Sequence, residues 1–131
     1  MHPVYVHIKK ELSPFYAEEE ASAMAKWISS DILHLSTLEL YTGKDMNFST
    51  KEWEELEDIL RRLKQREPLQ YILQEASFCG MSFHVEQGVL IPRPETEELV
   101  EWIVSDYREA GQVRILDIGT GSGCIPVSLA Q

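Results

Sequence analysis

Three glycines alternate in the stretch VRILDIGTGSGCI, from Val113 to Ile125. Gly119, Gly121 and Gly123 permit a tight turn with positive φ angles, and they let a ligand approach the backbone without meeting a Cβ. Asp117 stands just before them, and CIPVSLAQ after them reads as the first turns of a helix, where Pro126 is tolerated because early amides have no intrahelical partner. Such a loop suits the anionic end of a nucleotide-type cofactor. The spacing is G-x-G-x-G, whereas dinucleotide-binding loops run G-x-G-x-x-G, so a dehydrogenase is the least favoured enzyme reading. A second stretch with chemical content is LIPRPETEE, Leu90 to Glu98. Pro92 and Pro94 stiffen the backbone around Arg93, and Thr96, Glu97 and Glu98 fall where acids suit the start of a helix. On local grounds alone this is a rigid helix start, followed by the packing residues Leu99, Val100, Trp102 and Ile103.

The remaining reactive side chains are less suggestive. Cys79 and Cys124 lie far apart without a C-x-x-C pair and read as reduced packing thiols. Histidines 2, 7, 34 and 84 show no metal-ligand spacing, so no metal site is expected and each is assigned a structural or surface role.

Two textures position these groups. Val113, Ile115, Leu116 and Ile118 form a nearly continuous apolar run, which predicts a strand buried in a parallel sheet and leading into the glycine loop. From about Ser13 to Leu69 the pattern is helical. Ser13 is predicted to cap a helix opening at Pro14, with Ala21, Met24, Ala25, Ile28 and Ile32 on one face. A short helix is predicted from Ser36 to Tyr41, closed by Gly43. Ser49 with Glu52 forms a capping box for another, whose stripe is Trp53, Leu56, Leu60 and Leu63. No strand is expected in the first 65 residues. Glu67-Pro68 marks a boundary. FCGMSFHV then carries β-prone residues around Gly80 and predicts a hairpin.

The 131-residue chain has a net charge of −10, which argues against nonspecific binding to nucleic acid or to a membrane surface. Arg61, Arg62 and Lys64 are the densest basic run and read as a solvated helix face. With no signal peptide and no apolar run of membrane-spanning length, the expected compartment is the cytoplasm.

Four blocks in order, REPLQYIL (Arg66 to Leu73), F-x-G-x-x-F (Phe78 to Phe83), LIPRPETEELVEW (Leu90 to Trp102) and RILDIGTGSGCI (Arg114 to Ile125), resemble the HemK/PrmC family of protein-glutamine N5-methyltransferases. The resemblance is close from about Arg66 to Ala130 and one of texture before that. It implies an α/β protein: an amino-terminal helical bundle that docks substrate (1–72), a β-hairpin linker (73–89), and the beginning of a Rossmann-like methyltransferase domain (90–131). It implies S-adenosylmethionine as cofactor, and as substrate the glutamine of the Gly-Gly-Gln motif in peptide-chain release factors. The residues carried over to the cofactor are Asp117, Gly119, Thr120, Gly121, Ser122 and Gly123, joined by Arg93, Pro94, Glu95 and Thr96. Pro126 departs from the small residue usual after the loop, and Gln74 stands where the family commonly has glycine.

The family grips its substrate amide with an Asn-Pro-Pro-Tyr motif. Here the one asparagine, Asn47, is followed by Phe48, so no catalytic residue is assigned. An amide nitrogen is a poor nucleophile because its lone pair is delocalised, and holding it in line with the methyl donor supplies much of the rate. A polypeptide of these 131 residues is therefore expected to be inactive alone, to cover its apolar 113–118 run by self-association or leave the region after about Gly111 poorly ordered, and to bind S-adenosylmethionine weakly at best. Two alternatives stand beside this reading: an N6-adenine nucleic-acid methyltransferase, which shares the motif, and a noncatalytic module docking a translation factor. The acid-rich composition and the LIPRPETE block disfavour the first.

Overall fold

The computed structural model describes residues 1–43 and 47–131 and divides into two compact units, Met1–Leu69 and Gln70–Gln131. It is mostly helical, with one two-stranded antiparallel sheet.

The first unit holds α1 (Pro3–Leu12), α2 (Glu18–Asp31), α3 (Thr37–Thr42) and α4 (Thr50–Lys64). Among the described residues no strand precedes Glu75. α1 corrects the sequence reading, which began the first helix at Ser13 and Pro14. Ser13 instead ends α1, its Oγ donating to the Lys9 carbonyl, and the next helix starts only at Glu18. Pro3 opens α1 and His2 caps it, with Nδ1 accepting from the Val4 amide at 3.2 Å. The His2 ring is buried, which makes its role structural.

α1 buries Val4, Tyr5, Ile8 and Leu12 against α2 and α4. Ala21, Ala25 and Ile28 come from α2, and Leu56, Ile59, Leu60 and Leu63 from α4. Each fully buried aliphatic side chain contributes roughly 1.5–3 kcal/mol, so this four-residue α4 stripe holds the unit together. The predicted Ser49–Glu52 capping box forms, and a second one opens α3. Ser36 with Glu39 and Ser49 with Glu52 make reciprocal capping boxes, and Gly43 closes α3 at φ 64°. The Ser49 hydrogen bonds hold the Glu52 carboxyl below its usual range. Trp53 stays at the surface, edge-on to His7 and Phe48. The basic run is wholly paired: Arg61 with Asp58, Arg62 with Glu67, Lys64 with Glu11. After α4, Arg66 lies 5.0 Å over the Tyr16 ring, whose hydroxyl donates to the Leu63 carbonyl.

The chain passes to the second unit through α5 (Leu69–Leu73), a short helix that the sequence reading did not include. A hairpin follows, β1 (Glu75–Phe78) and β2 (Met81–His84), with Phe78 opposite Met81. Its two turn residues, Cys79 at φ 48° and Gly80 at φ 74°, are both left-handed, as a turn matching strand twist requires. α6 (Pro94–Tyr107) and α7 (Cys124–Ala130) complete the unit. Phe78, Phe83, Val100 and Cys124 form its core, with Ile125 and Leu129 packed alongside. Cys79 and Cys124 are free thiols, the first at the turn and the second buried in that core.

The predicted strand at Val113–Ile118 is not present. No neighbouring strand pairs with it among the described residues, and its apolar side chains are exposed: Leu116 is 84 % exposed and Ile118 86 %. Strand geometry needs a ladder partner, and the apolar pattern that predicted burial cannot create one.

Gln74 takes φ 56°, the conformation that glycine adopts without strain. Its side chain is exposed, so Gln74→Gly removes no buried contact. Left-handed backbone costs a non-glycine residue about 1–2 kcal/mol, and glycine returns about 0.5–1 kcal/mol of that as unfolded-state entropy. The substitution is expected to stabilise the protein by roughly 0.5 kcal/mol. A higher midpoint in urea denaturation would check it; a lower one would show that the glutamine side chain holds this turn.

Candidate functional site

The glycine loop is built by alternating left-handed residues. Gly119, Gly121 and Gly123 have φ values of 72°, 61° and 83°. A Cβ at Gly119 or Gly121 would meet no protein atom within 4 Å, so the space in front of both is open. At Gly123 the nearest such atom is a Val127 methyl at 3.8 Å. Glycine at 119 and 121 is thus demanded by backbone conformation and not by crowding from the protein itself. That combination makes a cradle: a left-handed backbone facing free space that side chains would fill.

Two hydrogen bonds shape the turn. The Gly123 amide donates to the Thr120 carbonyl at 3.1 Å, and Thr120 Oγ1 to the Asp117 carbonyl at 3.4 Å. Gly123 then caps α7, whose first-turn Cys124 is anchored in the core, while Ser122 is half-buried. Pro126 sits at the third position of α7, early enough that no helical hydrogen bond is lost, so the helix forms despite it.

Asp117 is half-buried, and its Oδ2 is fully buried with no hydrogen-bond partner among the described residues. An unsatisfied buried acceptor costs about 1–3 kcal/mol, which a donor brought to this position would recover. The carboxylate and the open glycine cradle therefore fit a ligand carrying both acceptor and donor groups.

The second block opens α6. Arg93 is its N-cap residue in extended conformation, Pro94 is its first residue, and the Thr96 amide donates to the Arg93 carbonyl at 3.0 Å. Arg93, Pro94 and Glu95 are exposed and Thr96 is half-buried. α6 packs on α7, and Val100 shares the core with Cys124. The Arg93–Thr96 block thus opens α6 and the Asp117–Gly123 block leads into α7, and these two helices pack together.

Glu97 has a role that the sequence did not disclose. Its Oε1 accepts from the Cys79 amide at 2.9 Å, tying the left-handed hairpin turn to the first turn of α6. Eighteen residues separate the two, and no local pattern links them. A cleft of about 270 Å³ also lies in this unit, between the exposed side of α6 and Val113 and Ile115, but none of the candidate cofactor residues lines it. Among the described residues no group of His, Cys, Asp and Glu is arranged to hold a metal ion, and no helix is long and apolar enough to cross a membrane.

Comparison with known proteins adds to this geometry. Residues 5–73 match the family described as the PrmC N-terminal domain. Over 129 residues, 98 % of this chain, the sequence is 47 % identical to a release factor glutamine methyltransferase of Bacteroides thetaiotaomicron. A protein of the same name from Flavobacterium psychrophilum is 40 % identical over 92 % of the chain, and one from Chlorobaculum tepidum 38 % identical over 95 %. The chain spans just under half the length of each, at 46 %, 43 % and 45 %.

Proposed function

The chain belongs to the HemK/PrmC family, matching its amino-terminal portion, and from that premise we propose that it serves a protein-glutamine N5-methyltransferase acting on peptide-chain release factors. In this reading the helical portion, 1–72, docks the release factor, 73–89 links, and 90–131 begins a Rossmann-like domain for S-adenosylmethionine. The observation that carries the cofactor assignment is the left-handed glycine cradle, open in front of Gly119 and Gly121.

When bound, S-adenosylmethionine supplies a methyl group activated on a sulfonium centre. The chain's own residues hold and orient. The backbone of Gly119, Thr120, Gly121, Ser122 and Gly123 lets the ligand come close; Asp117 offers its unpartnered Oδ2 as acceptor; Arg93, Pro94, Glu95 and Thr96 form a stiff wall at the start of the neighbouring helix. The wall is kept in place by the Glu97 hydrogen bond to the hairpin. Binding uses these groups for proximity and orientation, which is where an unreactive amide needs most help. A nucleic-acid substrate is disfavoured by the ion pairing of Arg61, Arg62 and Lys64, whose charges are engaged with the protein's own acids.

The test is methyl transfer from radiolabelled S-adenosylmethionine to a purified release factor. Label is expected at the Gly-Gly-Gln glutamine with the whole enzyme. None above a no-enzyme control is expected with the 131-residue polypeptide alone, because it contains no Asn-Pro-Pro-Tyr motif. Label on adenine, or none with the whole enzyme, would refute the substrate assignment; transfer by the 131 residues alone would refute the requirement for the motif.

A further inference from the structure

Between α2 and α3 the first unit carries a groove of about 560 Å³. Its walls are apolar and aromatic, with Trp27 on α2, Leu40 and Tyr41 on α3, and Leu35 on the connection between them. Leu35 and Leu40 are buried and form the floor, whereas Tyr41 is 57 % exposed. Lys26 is the one charged side chain among the described residues lining the groove, beside the amino group of Met1, and no acid lines it among those residues. That is unusual on this chain, where 22 acids outnumber 12 bases. Lys26 also has no ion-pair partner among the described residues, in contrast to Lys9, Arg61, Arg62 and Lys64.

The groove therefore combines an open aromatic wall with a cation that has no ion-pair partner among the described residues. We infer that it docks a segment of the release factor in which an apolar side chain lies beside a carboxylate, the apolar group against Trp27 and Tyr41 and the carboxylate on Lys26. This inference rests on the function proposed above and assigns the docking role to a particular face. On a surface of net charge −10 an acidic segment is generally repelled, so a cation in a groove that no acid lines among the described residues favours such a segment there. The aromatic wall supplies the contact area, as aromatic side chains do at protein interfaces.

The experiment is calorimetric titration of a purified release factor into the protein and into Lys26→Glu, Tyr41→Ala and Lys51→Glu variants. Lys26, Tyr41 and Lys51 are all exposed, so each variant is expected to keep the helical circular dichroism of the unsubstituted protein. Lys26→Glu is expected to weaken binding at least tenfold and Tyr41→Ala at least fivefold. Lys51→Glu makes the same charge change on α4, away from the groove, and is expected to stay within twofold. Unchanged affinity in Lys26→Glu, or equal loss in Lys51→Glu, would overturn the assignment of the groove while leaving the function intact. A dimer dissociated by Lys26→Glu, with release-factor affinity unchanged, would give the groove to a second copy of the chain and also overturn it. Absence of binding by the unsubstituted protein would overturn the docking function itself, and this inference with it.

Discussion

Replacing Gly121 by valine in the whole enzyme is expected to weaken S-adenosylmethionine binding by at least about 30-fold, with a smaller loss for alanine. The backbone at Gly121 stands at φ 61°, where a residue with a Cβ is strained by about 1–2 kcal/mol. Where the free variant relaxes from this conformation and the bound loop must return to it, that strain is worth roughly 5- to 30-fold in affinity. Valine adds two further methyl groups in the space before the loop, which no protein atom occupies within 4 Å of the Cβ position. In the free protein an added Cβ meets no atom within 4 Å beyond its chain neighbours, so a further steric cost arises when a ligand comes to the cradle. Alanine introduces the strain with one methyl and separates the two effects. Calorimetric titration of the three proteins with S-adenosylmethionine checks the order glycine, alanine, valine. Binding by the valine variant within threefold of the unsubstituted enzyme would remove Gly121 from the cofactor's surroundings.

The glycine cradle was legible in the sequence because left-handed backbone has a strong residue preference, and three alternating glycines leave few other reasons for their presence. The same logic explains the capped helices. Ser49 and Glu52 specify a helix start by hydrogen bonds that reach only three residues, so the signal lies within the sequence window that contains it. α1 was less legible for the opposite reason. Val4, Val6 and Ile8 are β-branched and lower local helix propensity, while Ser13-Pro14 imitates the beginning of a helix. Packing decides there. Val4, Tyr5, Ile8 and Leu12 fall on one buried face, and Pro3 after a capping His2 was the available sign. Gln74 shows a further limit: its left-handed turn is imposed on a residue that does not favour it, between α5 and β1, and the glycine that the family commonly has there was the available sign. Glu97 was legible as a helix-start acid but not as the acceptor for Cys79, since that contact exists only once hairpin and helix have met.

Val113–Ile118 is the place where pattern and structure part, and the difference has a measurable result. Four apolar residues there predict a buried strand, yet Val113, Ile115, Leu116 and Ile118 are 41 %, 54 %, 84 % and 86 % exposed. A side chain already in water contributes little to folding, so exchanging Leu116 and Ile118 together for serine is expected to change the stability of the 131-residue protein by no more than about 0.5 kcal/mol. Solubility is a different matter. Adjacent exposed apolar side chains and backbone groups without ladder partners favour association between copies, in which burial of each Leu or Ile recovers up to about 1.5–3 kcal/mol. The unsubstituted 131-residue protein is therefore expected to associate as its concentration rises, and the double serine variant to remain monomeric under the same conditions. Sedimentation velocity across a concentration series reads the first part and urea denaturation of the variant the second. A loss of more than about 2 kcal/mol on substitution would mean that these side chains are buried in the monomer after all, in the manner of core aliphatic residues. An unsubstituted protein that stays monomeric throughout would mean that the exposed run is too short, or too much interrupted by Arg114 and Asp117, to recruit a second chain.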